Sequence, residues 1–314
     1  MKKKNWLFII LLCIVGVFVG CFVFFYFNID MLYMRQLKEY QKEKIQVQGN
    51  SDHYVPQGFC YDEEHGVVLQ TSYNKKNEVS KLYVSDFETG ELLNTLSLYN
   101  SNNHEITAHV GGIATDSSKV WITSDSTIWE FSLEDILYQK DRVNSTREAD
   151  LPIRGDFCTY YDGELWIGDF YQPIFWKVKD DNPLVLTYTL DEDIDFDKPN
   201  KISSLPGTVQ GMVITDQYIY FTQSYTFLNP SKLSIYTNLY KDGYTEEEVD
   251  FKGIKVPYYH FDLNYFVKKV SLPPMAEEFF YKDERLYFLF ESSSNAYPIA
   301  HPRVKEILSH STQY

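Results

Sequence analysis

The stretch HVGGIATDSSKVWITS, residues 109–124, passes from a histidine through a glycine pair into a short strand, a tight turn around Asp116, and a second strand that alternates apolar with polar residues. A two-residue period of this kind marks β-structure. The shape returns four more times: VPQGFCYD and VVLQTS between Val55 and Ser72, IRGDFCTYYDGELWIGDF from Ile153, TVQGMVITDQYIYFTQSY from Thr208, and MAEEFFYKDERLYFLFES from Met275. Each unit has a first strand, an acidic or glycine turn, and a second strand rich in aromatic and branched residues. Several add a third strand, as in SKLYVSDFETGELLNTLSL (80–98). A period of roughly 50 residues with three or four antiparallel strands per unit predicts an all-β chain, a β-propeller with one blade per unit. Five blades are counted, and residues 242–271 leave room for a sixth. An irregular β-sandwich would also give many short strands. It has no reason to place the same glycine or acidic pair at the head of every unit.

Glycine inside a strand marks close approach of another backbone or a ligand, and the first strand of a blade is crowded against the central channel. Aligning the units gives five head pairs: Gln57-Gly58, Gly111-Gly112, Gly155-Asp156, Gln210-Gly211 and Glu277-Glu278. All inner strands run in the same sense, so these pairs should ring one end of the channel, with His109 close by. A ring holding Gln57, His109, Asp156, Gln210, Glu277 and Glu278 is polar and net acidic. Three readings stand open. The ring packs a wet channel; it binds a polar ligand or a hard cation, for which Ca²⁺ is the cofactor that converging carboxylates and amide oxygens suit; or it hydrolyses a carbohydrate or lactone through Asp156, Glu277 and Glu278, because a carboxylate pair can act as acid and base or nucleophile.

GGIATDSSKVWITSDSTIWEFSL, residues 111–133, carries a resemblance to the broad class of quinoprotein, YVTN and gluconolactonase-like propellers. The resemblance implies a propeller over residues 54–310 and transfers no activity.

Before the repeats lies a segment of another kind. From Trp6 to Phe27 there is no charged residue, and 22 residues at about 1.5 Å each span roughly 33 Å, enough for the ~30 Å core of a bilayer. Lys2, Lys3 and Lys4 precede it and Asp30 follows, so the positive-inside rule places residues 1–5 in the cytoplasm and the rest outside. The expected organisation is a signal anchor at 6–27, a stalk helix and linker at 28–53, and the propeller at 54–314: a single-pass cell-membrane protein with an extracytoplasmic domain. Phe18-Val19-Gly20-Cys21 is a loose version of the sequence that precedes a lipidated cysteine, but the apolar run continues past it to Phe27.

Beyond residue 27 the chain has 26 basic and 44 acidic residues, a formal charge of −18. Such a surface repels nucleic acid, so the expected partners are the membrane, through the first helix, and a carbohydrate or protein. Cys60 and Cys158 fall in non-adjacent blades, too far apart for a disulfide, and are expected to be free, buried thiols. Asp193, Asp195 and Asp197 open like an EF-hand loop, but Lys198 stands where that loop needs glycine. No nucleophile elbow, phosphate loop or HExxH is present. The sequence therefore supports a ligand- or protein-binding module, with a cell-surface hydrolase as the alternative.

Overall fold

The structure, a computed structural model, describes residues 2–37, 40–50, 53–171, 183–190, 194–227, 229–241 and 247–312. Five sheets form among them. Blade one pairs Tyr54–Asp62, Val67–Asn74, Lys81–Asp86 and Leu92–Tyr99 in antiparallel order. Blade two is Gly112–Thr115, Lys119–Ser124, Thr127–Ser132 and Arg147–Asp150. Blade three is Phe157–Tyr161, Glu164–Gly168, Leu184–Thr189 and Lys201–Ser204. Blade four is Val209–Ile214, Tyr218–Gln223, Ser231–Thr237 and Phe266–Leu272. Blade five is Ala276–Lys282, Arg285–Phe290, Glu306–Ser311 and, on its outer edge, Gln41–Gln46.

Local chemistry sets the inner hairpins. Asp162-Gly163 and Asp283-Glu284 both take positive φ at two successive residues, the geometry that matches strand twist in a two-residue loop. In blade two the Asp116 carboxylate accepts the N–H groups of Ser118 and Lys119 at 2.9 and 2.7 Å. Strand side chains then alternate between the two faces of each blade, and both faces are apolar. Val120 and Ile122 pack toward blade one, whereas Trp121 between them packs toward blade three. The outcome is five apolar clusters among the described residues, one at each junction: blades one and two, two and three, three and four, four and five, and five and one. A cluster at the fifth junction, with Phe59 and Val68 against Phe280 and Leu289, closes the ring. The fold is a five-bladed β-propeller.

The crowding at the axis has a repeated solution. Gly112 pairs with Thr123 and Gly211 with Thr222, and Gly58 donates its N–H to the Thr71 hydroxyl at 2.8 Å. A Cβ on Gly112 would lie 2.6 Å from the Cys158 nitrogen, and one on Gly211 would lie 3.0 Å from the Glu278 Cα. Blade three inverts the pair: Phe157 stands on the inner strand and Gly168 opposite it, where any Cβ would enter the Phe157 ring.

Four sequence expectations change here. No sixth blade forms among the described residues: Ile254–His260 and Glu247–Phe251 extend the outer edge of blade three through a parallel pairing with Lys201–Ser204, and Phe266–Leu272 completes blade four. The stalk helix takes up less of residues 28–53 than expected. One helix runs Lys2–Leu37, and Gln41–Gln46 is a strand, so the propeller begins near residue 40 instead of 54. Its QKEKIQ composition suits a helix, but burial of Tyr40, Ile45 and Val47 and a free edge on Glu306–Ser311 outweigh that weak preference. The head alignment also shifts by one residue in blade three, where Asp156 and Phe157 lie beside Gly111 and Gly112. Cys60 and Cys158 are free, as expected, but only Cys158 is buried and Cys60 is partly exposed.

Two tests follow from this packing. A fragment beginning at residue 50 lacks the closing strand, and relative to one beginning at residue 40 it should lose at least ~3 kcal/mol in urea melts, since three buried side chains go with it. Gly168→Thr alone should cost ~2–4 kcal/mol. Combined with Phe157→Gly, the total loss should fall short of the two single losses added together by ~1 kcal/mol or more, a coupling that a double-mutant cycle measures.

Candidate functional site at the head of the channel

The inner strands begin at one end of the channel, here its head, and finish at the tail. Of the residues singled out in the sequence, Glu278 is among the most deeply buried. It is 3% exposed, and its carboxylate crosses the axis to three other blades. Oε2 accepts the N–H groups of Phe59 and Ile113 at 2.9 and 3.1 Å, and Oε1 accepts that of Cys158 at 3.0 Å. An inner strand is paired on one side only, so its axis-facing N–H groups need a partner, and Glu278 supplies one for blades one, two and three. Burial pushes its pKa up and the three donors oppose the shift. All three partners are donors, which is the environment of an ionised carboxylate. Both oxygens are committed, so Glu278 holds the axis together and is not presented to a substrate.

Glu277, its neighbour, points to the head. It is 5% exposed and accepts a hydrogen bond from Gln210 Nε2 at 3.2 Å. Glu291, just past the second strand of blade five, accepts one from Gln57 Nε2 and is approached by the Tyr297 hydroxyl at 3.5 Å. Burial raises the Glu291 pKa to about 7, against relief from Gln57, Lys75 and Tyr297. Glu277 is pushed well up, by burial first and then by the charges of Glu291 and Glu278. Lys75 lies 3.5 Å from the centre of the Tyr297 ring, and burial lowers its pKa. Burial also pushes the Tyr73 hydroxyl up to about 12, and that hydroxyl shares a hydrogen bond with Tyr297. The Tyr73 ring lies 4.4 Å from that of His109.

The structure thus joins Gln57, Gln210, Glu277 and His109 into one neighbourhood and adds Glu291, Lys75, Tyr73 and Tyr297, which sequence reasoning missed. Nothing in the local sequence marks Glu291. Its signal lies in the topology, because second strands return to the head and Glu291 follows one directly. Asp156 belongs to a separate ion pair: Arg154 Nη2 donates to its Oδ1 at 2.9 Å, Asp125 lies 3.4 Å from the same guanidinium, and the Phe170 N–H reaches Oδ2 at 2.9 Å. Asp156, Glu277 and Glu278 therefore have different hydrogen-bond partners, and the Asp156 charge acts on His109. Among the described residues, no group of three or more His, Cys, Asp or Glu side chains is placed to hold a metal ion. Asp195 and Asp197 are paired with Lys198 and Lys252 at 2.8 and 2.6 Å, and Asp193 lies outside the described residues.

No family model and no curated protein matches this chain. Solved propellers do. Glutaminyl cyclase from Myxococcus xanthus is 8% identical over 83% of this chain and 93% of that one, with a TM-score of 0.45. BamB from Moraxella catarrhalis is 10% identical over 82% and 84%, with a TM-score of 0.36. The WD40 domain of Toxoplasma gondii coronin is 9% identical over 78% and 52%, also at 0.36. The likeness is one of fold.

Removing the axis carboxylate should be costly. Glu278→Ala leaves three buried N–H groups without an acceptor and should lower stability by ~3–5 kcal/mol in denaturant melts. Glu291 gives a pH signature of known sign. Its folded pKa is raised from 4.5 to about 7, so the stability it contributes is fully present below the unfolded value and is lost as pH rises through the folded one. Glu291→Gln should flatten the fall in melting temperature between about pH 4.5 and 7 and stabilise the protein above pH 7 by roughly 1–3 kcal/mol.

Proposed function

We propose that this protein is a membrane-anchored, extracytoplasmic binding module that engages a neutral, hydroxyl-rich ligand of the carbohydrate class at the head of its channel. The observation that carries the reading is the paired arrangement of Gln57 with Glu291 and Gln210 with Glu277. Both carboxyls are shifted toward their protonated forms, and the Tyr73 and Tyr297 rings lie beside them. Amides, neutral carboxyls and phenols both donate and accept hydrogen bonds, and aromatic faces cover apolar ligand surface. That set suits hydroxyl groups better than phosphates.

The membrane part of the proposal rests on the first helix. Phe8–Phe25 has a mean hydropathy of 3.1 and its side chains are exposed, which by length and composition is enough to cross a bilayer. Topology then orients the domain. Within blade five the closing strand starts opposite Ser309 and ends opposite Glu306, so the chain enters the propeller at the tail. In this reading the head faces away from the membrane.

A hydrolase remains the second reading, favoured by one observation: a Glu291 carboxyl titrating near 7 can act as an acid or a base at neutral pH. Its partner would be Glu277, since Glu278 is committed to backbone donors. The test is a panel of oligosaccharides titrated calorimetrically onto the full chain in lipid nanodiscs. The binding reading expects saturable heat, unchanged sugar on recovery, and an affinity at least tenfold weaker in Gln57→Ala. Product release abolished by Glu291→Gln would establish the hydrolase, and no heat from any member would remove the carbohydrate proposal.

A further inference from the structure

Away from the channel, the two strands added to blade three assemble a group of side chains that no local motif marks. Ser204 ends Lys201–Ser204, and the parallel pairing sets it directly beside His260, the last residue of Ile254–His260. Residues two apart share a sheet face, so Tyr258 stands on the same face as His260, and Glu247 lies opposite Tyr258 on the next strand. The contacts follow from that register. Ser204 Oγ lies 3.3 Å from His260 Nδ1, His260 Nε2 lies 3.7 Å from Glu247 Oε2, and the Tyr258 hydroxyl shares a hydrogen bond with Ser204.

We propose that this group is a serine-type catalytic site, separate from the channel, that hydrolyses short-chain carboxylic esters. A nucleophile, its base and the acid that orients the base are recognised by geometry and roles, not by position in the chain. Ser204 Oγ attacks the ester carbonyl carbon, and its proton passes to His260 Nδ1. Nε2 carries its hydrogen toward Glu247, whose charge stabilises the imidazolium. Contacts of this kind are commonly long in a free enzyme and tighten when substrate binds. As the new C–O bond forms, the carbonyl electron pair moves onto oxygen, and Tyr258, already bonded to Ser204, is the hydroxyl placed to donate to it. Collapse of the tetrahedral centre breaks the bond to the alcohol, which leaves with the proton from His260. Water then attacks acyl-Ser204 in the same way: it gives a proton to His260, the carboxylic acid departs, and Ser204 recovers the proton.

Exposure and neighbours narrow the substrate. The His260 and Glu247 side chains are 41% and 74% exposed, so a substrate arrives from solvent at the rim of the blade. Ser204 itself is 8% exposed, so only an unhindered carbonyl, such as that of a formyl or acetyl ester, comes within bonding distance of Oγ. Leu184, across the ladder from Ser204, belongs to the apolar cluster between blades two and three and offers the acyl group a surface. An amide is the poorer substrate, because its nitrogen leaves only once protonated and a base this exposed is loosely held for that transfer. Ser203, one residue away, faces the other side of the sheet and bonds the Tyr240 hydroxyl at 2.7 Å, so the two serines can be told apart.

A fluorophosphonate and p-nitrophenyl acetate, applied to the full chain in lipid nanodiscs, test the site. The fluorophosphonate transfers its phosphorus to a serine oxygen and releases fluoride, and peptide mass spectrometry should find the adduct on Ser204. Ser204→Ala should abolish both the adduct and the ester hydrolysis, and Ser203→Ala should leave them as they are. His260→Gln should slow both by ~100-fold or more. Glu247 acts through His260 and is a positioning residue: Glu247→Gln should lower kcat about tenfold with KM unchanged, and Glu247→Asp should restore part of the loss. Tyr258→Phe should lower kcat by about tenfold or more. The His260 and Glu247 side chains face solvent, so these variants should fold, which a melting temperature near that of the unaltered protein checks. Absence of an adduct, an adduct only at another residue, or labelling of Ser204 at an unchanged rate in His260→Gln would overturn the proposal and leave a polar cluster that fastens the added strands to blade three.

Discussion

Three backbone N–H groups from three blades converge on one carboxylate, and the geometry of the channel depends on it. A propeller's inner strands are sheet edges turned toward each other, and edges carry donors and acceptors that burial makes expensive. Water can satisfy them, as it does in many narrow channels. Here Glu278 reaches from blade five to Phe59, Ile113 and Cys158. Charge-assisted bonds to a carboxylate are among the stronger hydrogen bonds a protein forms. The residue separates the polar head of the channel from its tail.

The glycines at the axis follow from the same constraint. Inner strands can approach closely enough to share one carboxylate only where side chains are absent, and Gly112 and Gly211 fill that need while their partners Thr123 and Thr222 supply bulk from the next strand. Blade three exchanges the two, with the bulky Phe157 inside and Gly168 outside. What recurs is a glycine opposite a larger residue, not the position of either member. A single-residue alignment therefore slips by one position in blade three while the blade itself remains easy to see.

This distinction explains what could be read from the sequence. The blades were legible because each carries its own alternation and its own turn, both local properties. Gln57, Gln210 and Glu277 lie near the starts of their inner strands, a position that strand direction alone decides. What local pattern could not give was pairing at a distance. The Gln41–Gln46 strand looked helical until its partner, more than 250 positions away, offered an edge. The strands Glu247–Phe251 and Ile254–His260 looked like the start of another blade, but they joined one already formed. Glu278 was grouped with Glu277 in the ring at the channel mouth, but the strand is irregular between Ala276 and Phe279 and the Glu278 carboxylate turns to the axis. Glu291 and Lys75 carried no motif and became visible only through the neighbours that the fold brings to them.

The closing strand has a further consequence, for the order of events during synthesis. Gln41–Gln46 leaves the ribosome well before Glu306–Ser311, and the contact that seals blade five is the longest-range strand pairing among the described residues. Contacts of such separation are slow to form, because the intervening chain must first give up its freedom. Until the C-terminal strand arrives, Ile45 and Val47 have no core to enter, and the first four blades can assemble only as an open arc. The ring is completed by the meeting of the two ends of the propeller, which makes its integrity a check on whether everything between them has been made and folded.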